Sequence, residues 1–221
     1  MSAVDFDRPG AWRALFEKAL GLMDHLETVT QAPMWTFGGG TVLMLRLGHR
    51  LSKDIDLFVP DPQYLGYLTP RLSDAAEAVT GDYVEQAEFI KLFLPEGEID
   101  IVVGTPLTDQ PFDMADLGTR HIRVETCAEI IAKKMWYRGD RGKARDLFDL
   151  CAVADAEPQA VLLAAPFLAH HAAAFLTALK RGGRYVQAEF EAIDALGFRP
   201  SFADCIGQAR EILGPLTSRR A

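Results

Sequence analysis

Residues 36–59 read TFGGGTVLMLRLGHRLSKDIDLFV, and this stretch decides the fold. The β-prone residues before Gly38 predict a short strand, the glycine run predicts a turn, and residues 41–47 predict a helix. Residues 54–59 predict a second strand, in which apolar residues alternate with two aspartates and a phenylalanine. Two strands around a glycine turn and a helix indicate an α+β domain.

The rest of the chain extends this picture in both directions. We expect a helix over 9–28, a helix over 64–79, an edge strand at 83–85 and a hairpin of strands 88–94 and 98–103. From about residue 113 the pattern predicts helices only, at 126–138, 143–154, 159–179, 184–196 and 202–213. The sequence therefore predicts an α+β domain over 1–109 and a helical domain over 110–221.

Composition excludes several classes of protein. The 221 residues are 49% hydrophobic and 24% charged, which is typical of a globular chain and not of a disordered or collagenous one. The net charge of −8 argues against general adhesion to nucleic acid or anionic membranes. Three widely spaced cysteines indicate neither a disulfide framework nor a zinc site. The acidic start and the short apolar stretch at 160–168 predict no membrane anchor, and hence a cytoplasmic protein.

The aspartates of the second strand are the first candidate metal ligands. Asp54 and Asp56 lie two residues apart, so their side chains share one face of the strand, while Ile55 and Leu57 can enter the core. If the strand over 98–103 pairs alongside, Asp100 joins them. Neighbouring carboxylates repel each other, and a hard cation such as magnesium would turn that cost into binding. A solvated acidic face is the alternative, and it is the favoured one for Asp-x-Asp taken alone.

The glycine turn changes that balance because it predicts a phosphate site close by. Gly39, Gly40 and Thr41 stand where a strand gives way to a helix, and helix N-terminal amides bind phosphate. Arg50 and Ser52 come just before the carboxylates, where a guanidinium and a hydroxyl group could contact phosphate oxygens. A tight turn and a surface charge remain the alternatives for these residues taken singly.

Together these blocks resemble the AbiEii/AbiGii toxin family of nucleotidyltransferases, within the polymerase-β-like superfamily. The resemblance rests on residues 37–43 (FGGGTVL), 49–58 (HRLSKDIDLF), 129–135 (EIIAKKM) followed by Arg138, and 143–150 (KARDLFDL). It implies a polymerase-β-like mixed sheet flanked by helices and followed by a C-terminal helical domain. It also implies a magnesium cofactor, with manganese as the alternative metal.

The resemblance assigns roles residue by residue. Gly39 and Gly40 would hold a nucleoside triphosphate. Asp54, Asp56 and Asp100 would bind the metal and carry catalysis, with Asp100 as the base for the attacking hydroxyl group. Lys134 matches the family lysine near the phosphates, although the adjacent Lys133 leaves the register open by one residue. Asp146 matches the acidic residue of the last motif, whereas Arg145 and Asp149 are as easily interpreted as a structural salt bridge.

The implied activity is transfer of a nucleoside monophosphate from a triphosphate to a hydroxyl acceptor, with tRNA or another RNA as the expected acceptor. Arg138, Arg141 and Lys143 are candidate acceptor contacts, and an exposed turn is the alternative. The family implies a toxin with a separate antitoxin protein as partner. Two other functions stay open: a silent nucleotide- or partner-binding module on the same fold, and a nucleotidyltransferase that modifies protein.

Overall fold

The computed structural model describes residues 2–217. Its strands are β1 (Thr36–Gly38), β2 (Ile55–Val59), β3 (Tyr83–Gln86), β4 (Phe89–Leu94), β5 (Gly97–Val103), β6 (Phe112–Leu117) and β7 (Arg120–Glu125). Its helices are α1 (Trp12–Val29), α2 (Gly39–Leu47), α3 (Leu65–Leu68), α4 (Asp74–Glu77), α5 (Cys127–Arg138), α6 (Ala144–Ala156), α7 (Pro158–Glu191) and α8 (Phe202–Leu213). The fold is α+β, as the sequence predicts.

The seven strands form one mixed sheet in the order β3-β4-β5-β2-β1-β7-β6. The pairs β2–β5 and β1–β7 are parallel, and the others are antiparallel. In the β2–β5 register Asp56 lies opposite Asp100 and Phe58 lies opposite Val102. The predicted hairpin of β4 and β5 and the predicted edge strand β3 are both confirmed. The centre of the sheet thus brings the two candidate carboxylates side by side.

Burial shows why the central strands face as they do. The alternate residues Ile55, Leu57 and Val59 of β2 are fully buried, as are Ile99 and Ile101 of β5. They pack into a hydrophobic core shared with α1 and α2. With these residues inside, the period of two turns Asp56 and Asp100 to the other face of the sheet.

The prediction that the chain becomes helical from about residue 113 was wrong. Residues 112–125 form the β6–β7 hairpin, whose two-residue turn contains Gly118 at φ +64°. The alternation of buried Ile122 and Val124 with more exposed neighbours is the strand signal that the alanine-rich sequence further on obscured. The sheet therefore continues past the predicted domain boundary at residue 110, and the division into two domains stays a prediction.

Two helical predictions also need correction. The helix expected over 64–79 is two four-residue helices, α3 and α4, because Pro70 interrupts the segment. The helices expected over 159–179 and 184–196 are the two halves of α7, which a non-helical Gly183 (φ 48°, ψ −123°) separates, so the predicted break is confirmed; the second half ends at Glu191, earlier than expected. The other predicted helices are present within a few residues, and Thr126 caps α5 by accepting from the Glu129 N–H.

By length and composition alone, α7 could cross a membrane, since an 18-residue window has a mean hydropathy of 1.6. The sequence expectation that no segment is long enough was therefore wrong on length. A core helix of a soluble protein passes the same test, and α7 packs against α5, α6 and α8. The helix contains Pro166 and is weak evidence for a span.

Candidate active site

The glycine turn packs directly on charged side chains. Gly39 begins α2 with φ +73°, a left-handed conformation that favours glycine, and a Cβ there would collide with the Asp56 carboxylate. A Cβ at Gly38 would collide with the Glu125 carboxylate, and one at Gly40 would lie 2.8 Å from Arg50 Nη2. All three glycines are therefore required by close approach, and the turn lies against the carboxylates of β2 and β7.

Asp56 and Asp100 form the acidic centre of the site. Burial and the neighbouring Asp100 raise the pKa of Asp56 to about 6, against the opposing effect of Lys134 and Arg138. Burial also raises the pKa of Asp100, although Lys91 opposes this shift. Each of these two carboxylates is therefore harder to ionise than a free aspartate, because it is partly removed from water and lies near other negative charges.

Asp54 lies at the margin of this pair. It precedes β2, and its Oδ1 accepts a hydrogen bond from the Glu98 N–H at 3.1 Å. Its charge still raises the pKa of both Asp56 and Asp100. Among residues 2–217, no set of three His, Cys, Asp or Glu side chains is arranged to hold a metal ion. The predicted three-carboxylate cluster is thus not assembled here, because the Asp54 side chain is bound to the backbone of β5.

The remaining pair has the chemistry of a hard-cation site. Mg²⁺ is commonly held by one or two carboxylates together with substrate phosphates. Asp100 Oδ1 is buried and accepts no hydrogen bond of good geometry, and its only close polar neighbour among the described residues is the Lys91 ammonium. Lys91 Nζ lies 2.7 Å from Oδ1 and 2.8 Å from Oδ2 of Asp100, and it also pairs with Glu98. Asp56 and Asp100 therefore fit a divalent cation, with Lys91 as the counter-charge when no metal is bound.

A buried charge cluster, the α6 cluster, lies behind the glycine turn. It consists of His49, Arg50, Lys134, Arg138, Asp146 and Asp149. Asp149 is fully buried, and Arg50 contacts it through Nε (2.6 Å) and Nη2 (2.9 Å). His49 Nε2 lies 2.8 Å from the same carboxylate. Burial acts against ionisation, but Arg50 and Lys134 hold the pKa of Asp149 well below its usual range.

This cluster changes the interpretation of Arg50. Arg50 was predicted to contact phosphate, but it is 4% exposed and its guanidinium is bound to Asp149. A fully buried carboxylate needs such a partner, and α6 brings it beneath the turn. The salt bridge considered between Arg145 and Asp149 is absent among the described residues, because Arg145 is exposed and Asp149 pairs with Arg50.

Thr41 and Ser52 also lie beneath the turn. Thr41 is fully buried; its hydroxyl group donates to the Asp54 carbonyl oxygen at 2.5 Å and lies 3.0 Å from the Ser52 hydroxyl group. These contacts tie the start of α2 to the start of β2. Thr41 and Ser52 therefore position the turn and do not face a ligand, since the Thr41 hydroxyl group donates its hydrogen bond to the backbone.

Lys134 and Asp146 connect the cluster to the acidic centre. Lys134 Nζ lies 3.0 Å from Asp146 Oδ1 and 2.9 Å from Asp149 Oδ2. Arg138 Nη2 contacts Asp146 at 2.8 Å. Burial alone would raise the pKa of Asp146, but Lys134 and Arg138 bring it below the ordinary value. Both cations also lie near enough to Asp56 to lower its pKa.

Lys133 belongs to a different cluster, which sequence reasoning missed. Its Nζ lies 2.6 Å from Glu125 Oε1 and 3.4 Å from Glu129 Oε1, and 3.9 Å from the centroid of the Phe58 ring. Glu125 also accepts from the Thr36 hydroxyl group. Glu125 is the last residue of β7, so the alternation of buried and exposed residues along that strand was the sequence signal that could have found it. The two adjacent lysines thus pair with different carboxylates, Lys133 with Glu125 and Lys134 with Asp146.

A pocket of about 180 Å³ opens between α5 and this face of the sheet. Its lining includes Gly39, Gly40, Asp56, Asp100, Lys134 and Arg138 at the charged end and Phe58, Val102, Ile130 and Tyr137 at the apolar end, where the ion-paired Glu125 and Lys133 also line it. Asp54, Arg50, Thr41 and Ser52 lie outside this lining. The pocket therefore joins a carboxylate pair, cations and a glycine turn in one cleft.

The family model "Nucleotidyl transferase AbiEii toxin, Type IV TA system" matches residues 21–215. The chain belongs to this family. Membership makes it a nucleotidyltransferase of a type IV toxin–antitoxin family, which implies a nucleotide substrate and an antitoxin partner. The resemblance drawn from the sequence is confirmed.

Two solved structures match this AbiEii family member. The "putative nucleotidyltransferase from H. pylori" has a TM-score of 0.48 and 14% identity, and the match covers 91% of this chain and 93% of that one. JHP933 from Helicobacter pylori has a TM-score of 0.49 and 16% identity, with 90% and 91% covered. No curated protein sequence matches the chain.

Proposed function

We propose that this AbiEii family member is a magnesium-dependent enzyme that transfers a nucleoside monophosphate from a nucleoside triphosphate to a hydroxyl group of RNA. The observation that carries the proposal is the Asp56–Asp100 pair, in register on parallel strands and directly against Gly39. Two like charges at this depth destabilise the fold unless a cation joins them. A carboxylate pair beside a glycine turn is what metal-assisted phosphoryl chemistry requires.

In this mechanism the acceptor oxygen attacks the α-phosphorus, and the bond from that phosphorus to the bridging oxygen of the β-phosphate breaks. Pyrophosphate leaves, and Asp100 accepts the proton of the attacking hydroxyl group. Before the metal and nucleotide bind, Lys91 holds the Asp100 carboxylate in place. Lys134 and Arg138 offset the negative charge of the triphosphate from α5. Asp56 and Asp100, with Asp54 nearby, would hold magnesium, which would neutralise the charge that develops on the transferred phosphoryl group.

The glycine turn and the α6 cluster have separate tasks in this proposal. The N–H groups of Gly39 and Gly40, at the start of α2, bind the triphosphate because helix N-terminal amides favour anions. Arg50 acts indirectly, since its contact with Asp149 fixes α6 beneath the turn. Asp146 orients Lys134 and Arg138, which both donate to its Oδ1.

The RNA acceptor is proposed from the charge around the turn between α5 and α6. Arg141, Lys143 and Arg145 are exposed, and within residues 2–217 none of them forms a salt bridge. They follow directly after Arg138, which lines the pocket. Exposed cations beside an active site attract a phosphate backbone by a salt-dependent, sequence-independent interaction.

The test is incubation with α-labelled nucleoside triphosphates, magnesium and total RNA. We expect label on RNA, loss of transfer in Asp56→Ala and in EDTA, and full transfer in the exposed control Asp109→Asn. Label on protein would instead identify a protein-modifying enzyme. Nucleotide binding without transfer would identify the silent module and overturn the proposal.

The acceptor contacts are tested separately. We expect Lys143→Ala to raise the KM for RNA several-fold at low salt and to leave the KM for the triphosphate unchanged, and we expect Arg210→Ala on α8 to change neither. An unchanged KM for RNA in Lys143→Ala would place the acceptor elsewhere. The toxin role predicts growth arrest on expression, relieved by a co-expressed antitoxin. A cytoplasmic location follows from the need for nucleoside triphosphates and RNA.

A further inference from the structure

The apolar end of the pocket continues the same two strands that carry the carboxylates. Phe58 and Val102 are the next residue pair in the β2–β5 register on the face of Asp56 and Asp100. Residues two apart along a strand are separated by about 7 Å. An apolar pair therefore stands about 7 Å from the acidic pair, within one pocket.

Helix α5 covers this apolar pair. Ile130 and Tyr137 are seven residues apart, so they lie on one face of the helix, and both line the pocket. Tyr137 is 50% exposed, and it has no role in the core. Gly104, just after β5, lies between Phe58 and Tyr137: a Cβ there would be 3.2 Å from the Phe58 ring and 3.9 Å from the Tyr137 hydroxyl oxygen. The absence of a side chain at Gly104 lets the two rings share one opening.

Lys133 fixes the position of the Phe58 ring. Lys133 lies 3.9 Å from the Phe58 ring centroid, and its ammonium is held by Glu125 and Glu129. A cation over a ring in a partly dehydrated position is attractive. Phe58 is thus a rigid aromatic wall, and Tyr137 is the accessible one.

We propose that Phe58, Val102 and Tyr137 form the slot that receives the nucleobase of the triphosphate. This inference rests on the proposed function, since it assumes that the phosphates occupy the charged end. The phosphates and ribose then extend over the acidic pair, and the planar base lies against Tyr137 at the apolar end. Ligand pockets with an apolar wall and a few polar anchors have this organisation. Every base has a π-face, so the slot accepts purines and pyrimidines alike.

The test separates base binding from phosphate binding. Dissociation constants with magnesium are measured for ATP, CTP and inorganic tripolyphosphate, together with KM and kcat for transfer. We expect Tyr137→Ala to weaken ATP and CTP about tenfold or more, to leave kcat near its original value, and to leave tripolyphosphate binding unchanged. Tyr137→Phe keeps the ring and should bind both nucleotides as the original protein does.

Tyr185→Ala is the matched control, because Tyr185 lies on α7, is 86% exposed and is outside the pocket lining. Equal weakening of tripolyphosphate and nucleotides in Tyr137→Ala, or no weakening of either, would overturn the nucleobase slot while leaving the transfer reaction intact. Failure of the unmodified protein to bind tripolyphosphate and to transfer label would overturn the proposed function and, with it, the slot.

Discussion

Replacing Asp56 by asparagine should stabilise the metal-free protein. Burial and Asp100 raise the pKa of Asp56 from 3.8 to about 6, so the folded state binds this proton more tightly than the unfolded chain. The free energy of unfolding therefore falls as pH rises from about 4 to about 6, and the cost persists above that range. About two pKa units correspond to about 3 kcal/mol, the upper limit of the gain in Asp56→Asn at pH 7.5.

The assay is urea unfolding in EDTA at pH 7.5 and at pH 4. We expect Asp56→Asn to be more stable at pH 7.5, by an amount that approaches zero at pH 4, and to be inactive in transfer. Asp109→Asn, a change at an exposed aspartate, should leave stability unchanged at both values. Equal or lower stability of Asp56→Asn at pH 7.5 would refute the argument that the carboxylate is held at a cost for its function.

Two further predictions concern the turn and the cluster behind it. Gly39→Ala should abolish transfer, because φ at this residue is +73° and the new Cβ would collide with the Asp56 carboxylate. The control is Gly21→Ala, at an exposed position in α1. This change should raise the free energy of unfolding by about 0.5–1 kcal/mol and keep activity. Activity in Gly39→Ala would contradict the close approach. Asp149→Ala should cost about 3–5 kcal/mol in urea unfolding by leaving Arg50 buried and unpaired. The exposed Arg145→Ala should cost almost nothing, and similar costs for both would contradict the cluster.

Local patterns predicted the centre of the fold well. The strand, glycine turn and helix around Gly39 and the hairpin of β4 and β5 follow from periodicity and turn residues. The β6–β7 hairpin was missed because its alternation is short and precedes a long alanine-rich region. The break between two helices near residue 183 was predicted from the glycines there, and Gly183 has a non-helical conformation.

The candidate site was predictable in its residue types but not in its pairing. Asp56 and Asp100 came from alternation and an assumed neighbouring strand, which the β2–β5 register provides. The salt bridge between Arg50 and Asp149 joins residues that are 99 apart in sequence, so no local sequence pattern could have predicted it. Lys91 lies opposite Asp100 across β4 and β5, and only the strand register shows that contact.

The central claim is that Asp56 and Asp100 together hold a divalent cation in the cleft beneath α5. The most direct measurement is a crystal structure with Mn²⁺ and a non-hydrolysable nucleoside triphosphate analogue, with the metal located by its anomalous scattering. We expect one peak between these two carboxylates, about 2.0–2.3 Å from an oxygen of each, with Lys91 displaced from Asp100. A peak elsewhere, or an undisturbed contact between Lys91 and Asp100 with nucleotide bound, would contradict it.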